Sequence, residues 1–204
     1  MDKSTRVDKS AIREDHRRRR LERRADGGSS PTITARCWDV ITEAHRTSRG
    51  GAITAVAAFQ PMRHEPDLRP LTQWLLEQGL PVYLPRMHDD DMEWVRAGSS
   101  LLAQRPARVP APPGIAEPLP GDSGTVVLVP ALAIDPGTGL RLGYGAGNYD
   151  RFLSGRDEPF RVGVCFDDEL RELTGESHDI PVEAIVTPAR VLRVGSLGHR
   201  GDIG

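Results

Sequence analysis

Nine consecutive residues, Val126 to Ile134 (VVLVPALAI), carry no polar or charged side chain, and a glycine-rich loop follows them a few positions later. A valine-rich run of this length is too short to cross a bilayer, and it has the pattern of a strand buried on both faces. Such a strand needs helices above and below it, which points to an α/β layered fold with a parallel sheet. The rest of the chain supplies the parts. Ala52 to Phe59 (AITAVAAF) is a second, nearly continuous apolar run. Leu80 to Leu84, Met92 to Arg96, Arg161 to Phe166 and Ala184 to Thr187 read as shorter strands, and Val191 to Val194 as an edge strand. One helix is expected from near Thr32, where Cys37, Val40, Ile41 and Ala44 share a face. Another runs over Asp67 to Gln78, with Leu68, Leu71, Trp74 and Leu75 on one side and Gly79 as its C-cap. A short helix should begin near Tyr149.

The 204 residues suffice for one substantial core. The reading is therefore a single three-layer α/β domain, its mostly parallel central sheet flanked by helices on both faces. Residues 1–30 are expected to form a basic N-terminal helix and linker packed on the domain. Residues 31–194 would be the domain itself, and 195–204 a disordered tail. Six prolines between Arg105 and Asp122 mark an irregular surface connection. The net charge of −2 argues against a dedicated nucleic-acid binder, and no secretory signal is legible in the charged N-terminus. Cys37 and Cys165 are the only cysteines and lack metal-ligand spacing, so two free thiols in a reducing cytoplasm are expected.

In an open parallel sheet, ligands bind beyond the C-terminal ends of the strands. That rule selects the residues after Phe59, Leu84, Ile134 and Phe166. The segment Arg141 to Leu153, RLGYGAGNYDRFL, is the chemical centre of the chain. Gly143, Gly145 and Gly147 alternate, so the backbone can turn sharply and bring its N–H groups near a ligand. A helix start follows, and the pair makes a phosphate site. Arg141 adds a fixed positive charge, and Asp150 a carboxylate that could hold magnesium. The glycine spacing matches neither a P-loop nor a dinucleotide fingerprint. A glycine-rich turn that only reverses a strand into a helix would show the same three glycines.

VPALAID at Val129 to Asp135 together with RLGYGAGNYDRFL resembles the signature of the 5-formyltetrahydrofolate cyclo-ligase family. Weaker blocks keep the family's order: Lys9 and Arg13, Glu65, Leu84–Pro85–Arg86, Met92–Glu93–Trp94, Gly114 to Pro118, His178–Asp179, Pro181–Val182 and Val186–Thr187–Pro188. The likeness covers about residues 9 to 190. It implies a cytoplasmic enzyme, with no membrane or nucleic-acid partner, that converts 5-formyltetrahydrofolate to 5,10-methenyltetrahydrofolate with ATP and Mg2+. Nothing in the chain calls for an oligomer, and a monomer is expected.

The resemblance also implies site residues. Lys9, Arg13, Arg141 and the loop Leu142, Gly143, Tyr144, Gly145, Ala146, Gly147, Asn148 and Tyr149 would bind ATP, with Arg141 and Tyr149 catalytic. Gln60, Glu65, Trp94, Tyr144 and Asn148 would contact the reduced folate, Met62 and Trp94 giving apolar walls. Asp150 and Asp179 would ligate magnesium. His64 and His178 are expected to be bystanders, and Arg17 to Arg20 with Arg23 and Arg24 a solvated surface. Two positions depart from the family pattern. Asn148 stands where a second tyrosine is common, and Pro113 where an aromatic often precedes the Gly–Ile pair. Both touch the folate side, so the alternative is a paralogue on the same fold that binds a nucleotide or another phosphorylated ligand without cyclo-ligase activity. A nucleic-acid-binding accessory role for the arginine helix is a third reading, disfavoured by the net charge and the lack of interleaved aromatics.

Overall fold

The computed structural model describes residues 8–23, 30–47, 52–62, 64–88, 91–98, 112, 114–156 and 158–195. Among these, seven strands form one sheet in the order β3-β2-β1-β4-β7-β8-β9. The strands are β1 (Ala55–Ala57), β2 (Val82–His88), β3 (Asp91–Arg96), β4 (Thr125–Pro130), β7 (Phe160–Val164), β8 (Ala184–Val186) and β9 (Val191–Arg193). The five central strands pair in parallel, while β3 and β9 close the two edges antiparallel. A separate ribbon pairs β5 (Ala133–Ile134) with β6 (Arg141–Leu142).

The alternation of side chains along the strands builds the layers. Val126 and Leu128 point into one core with Val56, Val82 and Leu84, and there they meet α2 (Ser30–Thr47) and α3 (Arg69–Glu77). Ile33, Cys37, Val40 and Ile41 recur at helical spacing on α2, and Leu71 and Leu75 on α3; all are buried. Gly79 has φ 75°, the left-handed conformation a helix stop requires. Val127 and Val129 point the other way, to a core shared with Leu153, Phe152 and Tyr149 of α4 (Asn148–Leu153). Helix α1 (Lys9–Glu22) sits apart from both on Ala133 and Leu142, through Ile12.

The long apolar run is not one strand. β4 ends at Pro130, opposite Val164, and the chain leaves the sheet to form β5. Proline has no ladder N–H to donate, so it suits a strand terminus. The run stays apolar because Ala131 to Ile134 are as buried as the strand before them. The second run is likewise buried from Ala55 to Phe59, although only three of its residues are laddered. β2 extends past the expected Leu84 because it zips against β3 in a hairpin, from Tyr83↔Arg96 to His88↔Asp91.

The arginine helix departs most from expectation. Leu21 is 69 % exposed, and the inner stripe is Ile12, His16 and Arg20, spaced by four. Arg20 is buried rather than solvated, because two carboxylates from distant segments meet it there. Arg23 lies 3.7 Å over the Phe166 ring and pairs with Asp168. No helix among the described residues is long and apolar enough to cross a membrane. Pro113, Arg24 and the tail beyond Gly195 lie outside the described residues.

Candidate active site

A cleft of ≈ 1050 Å³ opens at the C-terminal ends of β1 and β4 and along the second half of β2, where Phe59, Pro85, Met87 and Pro130 line it. That is the position the sheet topology requires, with Pro130 in place of Ile134 because β4 stops there. Residues 142 to 149 of the glycine loop wall one side. Gly145 and Gly147 have φ of 110° and 69°, conformations that L side chains rarely adopt. Gly143 does not need such an angle, and open space surrounds the place where its Cβ would stand.

Helix α1 leans on this loop. Asp8 caps it by accepting from the Ser10 amide at 2.9 Å. Arg13 Nε donates to the Gly143 carbonyl at 3.0 Å, and Arg17 Nη2 to the Tyr144 carbonyl at 2.8 Å. Lys9 Nζ lies 3.0 Å from Glu176 Oε1 and 3.1 Å from Asp179 Oδ2. Burial disfavours charge on Lys9, but those two carboxylates outweigh it and hold its pKa above the ordinary value. Burial likewise disfavours the Asp179 carboxylate; the Glu176 amide and Lys9 reverse the balance and hold it low.

Arg141 opens β6, with its side chain 3 % exposed. It donates to the Ile180 carbonyl and, at 2.8 Å, to Asp150 Oδ1 in the first turn of α4. Burial pulls its pKa down, against the pull of Asp150. Asp150 also accepts from the Ile180 amide, at 3.2 Å and again through Oδ1.

Across the cleft, Glu65 is not a surface acid: its side chain is 4 % exposed. Burial raises its pKa, although the Met62 amide, 2.8 Å from Oε2, and Arg20 both favour the charge. Gln60 Oε1 and the Tyr149 hydroxyl also belong to cleft-lining residues, and both are buried without a hydrogen-bond partner among the described residues. Burial raises the Tyr149 pKa well above that of a free phenol, so its hydroxyl stays protonated. An acceptor and a donor left unsatisfied at the same cleft are places for a polar ligand.

Of the residues expected at the site, Lys9, Arg13, Gln60, Glu65, Arg141, the loop from Leu142 to Tyr149, Asp150 and Asp179 all line this cleft, as does Met62. Trp94 does not. It lies on edge strand β3, packed edge-on against Phe152 of α4 at 5.1 Å, and lines a neighbouring cavity of ≈ 600 Å³. Asn148, Arg151 and Ser154 line both cavities. The Asn148 amide is engaged locally: its Oδ1 accepts from Arg151 and its Nδ2 lies 3.3 Å from Met87 Sδ. His178 is at the rim, and Met87, Arg151 and Glu176 join the lining without having been foreseen. Arg20 and Glu169 were missed as well; the i, i+4 spacing of Ile12, His16 and Arg20 was the one available signal for the arginine. Among the described residues no group of three or more His, Cys, Asp or Glu forms a metal-binding cluster. Both cysteines are free and buried, and burial pushes the Cys37 thiol up to about 12.

Comparison with known proteins bears on the family and the fold. A family model described as the 5-formyltetrahydrofolate cyclo-ligase family matches residues 5–188. A 5-formyltetrahydrofolate cyclo-ligase of Mycolicibacterium smegmatis is 38 % identical over 145 residues, covering 66 % of this chain and 74 % of the relative. That of Escherichia coli K12 is 34 % identical over 151 residues, covering 67 % and 79 %. The NMR structure of Aquifex aeolicus 5,10-methenyltetrahydrofolate synthetase superposes with a TM-score of 0.61 at 26 % identity, over 96 % of this chain and 99 % of that one. A 5,10-methenyltetrahydrofolate synthetase from Mycoplasma pneumoniae shares the fold at a TM-score of 0.63, with 16 % identity over 88 % of this chain and 98 % of its own. The matched span holds every strand of the sheet but the edge strand β9, together with α1 and the whole glycine loop, and on that basis the chain belongs to the 5-formyltetrahydrofolate cyclo-ligase family.

Proposed function

We propose that the protein converts 5-formyltetrahydrofolate to 5,10-methenyltetrahydrofolate with ATP, releasing ADP and phosphate. The observation that carries this reading is one cleft with two chemistries. Lys9, Arg13 and Arg141 bring cations to the glycine loop, and Gln60, Glu65 and Tyr149 bring buried polar groups to the sheet side.

A formamide oxygen is a poor leaving group, and ATP, when bound, supplies the phosphoryl group that makes it a good one. The formyl oxygen takes the γ-phosphoryl group as the bond to ADP breaks. N10 of the folate then attacks the formyl carbon and loses its proton, and the C–O bond breaks with release of phosphate. The protein's task is alignment and charge neutralisation. Lys9 and Arg13 would reach phosphate oxygens from α1, Lys9 exchanging Glu176 and Asp179 for them. Arg141 would neutralise charge growing on the transferred group. Glu65 would hold the pterin close to its reacting nitrogens, and Tyr149 would donate from its unpartnered hydroxyl.

Magnesium would screen the phosphates. The donor set fits an ion held by one or two carboxylates and phosphate oxygens, as Mg2+ prefers, rather than an all-protein cage. Asp150 spends only Oδ1 on Arg141 and Ile180, and Asp179 would be released as Lys9 turns to phosphate. The enzyme is proposed to work as a cytoplasmic monomer.

The alternative, a nucleotide-binding paralogue, is favoured by Asn148, whose amide is tied to Arg151 and offers no ring for stacking. The deciding experiment follows the near-ultraviolet absorbance of methenyltetrahydrofolate with protein, Mg2+, ATP and 5-formyltetrahydrofolate. An ATP-dependent rise that disappears in Asp150→Asn supports the cyclo-ligase. ATP binding without any rise transfers the case to the paralogue.

A further inference from the structure

The buried arginine of α1 has no part in the chemistry above, yet it touches two of its groups. All three guanidinium nitrogens of Arg20 are engaged. Nε lies 2.7 Å from Glu169 Oε1 and Nη2 2.8 Å from Oε2, a two-pronged grip. Nη2 also donates to the Ala131 carbonyl, where the chain leaves β4. Nη1 donates to the Tyr144 hydroxyl at 2.9 Å and lies 3.7 Å from Glu65 Oε1. The Tyr144 hydroxyl stands close enough to the Glu65 carboxylate to favour its charge. The side chains of Arg20, Glu65 and Glu169 are 3 %, 4 % and 1 % exposed.

We propose that Arg20 is a positioning residue for the reaction: clamped on Glu169, it fixes the Glu65 carboxylate and the Tyr144 hydroxyl where the folate binds. The proposal rests on Glu65 facing the folate, as in the reading above. Two carboxylates surround one guanidinium here. Glu169 takes the close, two-pronged contact and is further held by the Phe166 amide at 2.9 Å. Glu65 has the longer contact, so its charge depends on what else surrounds it. The groups that face it are Arg20 from α1, Glu169 from the 3-10 turn Asp167–Glu169, the Met62 amide, Tyr144 from the glycine loop and Tyr149 from α4. Arg20 is the one cation in that set. Lysine could supply the charge but not the planar fork that grips Glu169 and reaches Tyr144 at once. Since α1 also carries Lys9 and Arg13, a single helix sets both the nucleotide side and the folate side of the cleft.

The test separates charge from mere packing. Arg20→Gln alone would strand a buried Glu169, so the arginine is removed in a Glu169→Gln background. The titration of Glu65 is read without ligand by carboxyl carbon-13 NMR, its signal assigned by its loss in Glu65→Gln. Glu169→Gln alone, which leaves Glu65 the one carboxylate beside Arg20 and removes a neighbouring negative charge, should lower the midpoint. Arg20→Gln/Glu169→Gln should raise it above that of Glu169→Gln by about one pH unit or more, a tenfold change in proton affinity. In turnover, the acidic limb of kcat/KM should move up with it. KM for 5-formyltetrahydrofolate should rise severalfold, and KM for ATP should stay within about twofold. Arg20→Lys should keep the midpoint but still raise the folate KM. An unmoved Glu65 midpoint, or a loss of activity equal at every pH and for both substrates, overturns the proposal and leaves Arg20 a structural tie. If the wild type does not turn over this folate, the functional reading falls while the ligand-free titration still decides the Arg20–Glu65 coupling.

Discussion

Asp150 Oδ1 and Arg141 Nη2 stand 2.8 Å apart and bridge the glycine loop, one from the first turn of α4 and the other from the start of β6. The pair closes the loop into a ring, so the same carboxylate serves the fold and the proposed metal. Asp150→Asn keeps an oxygen for the Ile180 amide and weakens the contact to Arg141. It should cost about 1 to 2 kcal/mol of stability, the difference between a charge-assisted and a neutral hydrogen bond. Turnover should fall at least about tenfold, or about 1.4 kcal/mol in the barrier, and the Mg2+ needed for half-maximal rate should rise. Full turnover at low Mg2+ would remove Asp150 from the metal site.

Arg141 can be tested without emptying its place. Arg141→Lys keeps a positive charge in the buried position but replaces the two guanidinium nitrogens that hold Ile180 and Asp150 with a single ammonium. The expected outcome is a folded protein whose apparent KM for ATP rises or whose kcat falls by roughly tenfold, about 1.4 kcal/mol of lost transition-state stabilisation in the latter case. Steady-state kinetics with both constants unchanged would place Arg141 among the purely structural residues.

Lys9 and Arg13 test the nucleotide side separately. The Lys9 pairs with Glu176 and Asp179 are partly exposed, so Lys9→Ala with Arg13→Ala should cost little stability. ATP affinity measured by calorimetry should drop about tenfold, equal to about 1.4 kcal/mol. An unchanged affinity would return this end of α1 to the solvated surface.

The glycines of the loop divide into two kinds. Gly147 has φ 69°, and a Cβ there would stand 3.0 Å from Arg151 Nη1, so Gly147→Ala should lose about 1 to 2 kcal/mol to backbone strain. Gly143 has neither constraint. Gly143→Ala should melt like the wild type, yet bind ATP more weakly because its methyl group enters the cleft. Normal ATP affinity in Gly143→Ala would show that the nucleotide passes elsewhere.

How far the sequence could be read depended on the range of the interaction. The cleft lining was legible because its largest part is one continuous segment, Arg141 to Asp150, that follows a strand whose burial is written in its valines. Arg20 was not. It sits among other arginines on a helix that looks uniformly solvated, and its anchor Glu169 is 149 positions away. Local charge pattern carries no information about such a partner. Trp94 failed differently: its place in the order of blocks suggested the cleft, but the antiparallel edge and α4 put its ring against Phe152. The apolar run from Val126 to Ile134 reported burial faithfully and strand length poorly, since leaving the sheet at Pro130 did not expose what followed.

His16 gives the structure a titration of its own. It lies in the buried stripe of α1 between Ile12 and Arg20, and both its ring nitrogens lack a partner among the described residues. Burial, which disfavours the imidazolium, lowers its pKa below the ordinary value, with Glu169 pulling the other way. The unfolded chain therefore binds this proton more tightly than the folded one. The resulting stability is complete above the unfolded value of about 6.5 and is lost as pH falls from there toward the folded value, by at most about 1.36 kcal/mol for each pH unit crossed. Glu65, whose pKa is raised by burial, acts in the opposite sense above its own unfolded value, so the wild-type curve alone mixes the two. The informative quantity is the difference from His16→Leu, which keeps the volume apolar and removes the titration. Between about pH 7 and about pH 5.5, a window that brackets the unfolded value, the wild type should lose stability relative to His16→Leu, seen as a widening gap in Tm. Parallel melting curves across that range would mean that α1 docks without regard to the charge on His16.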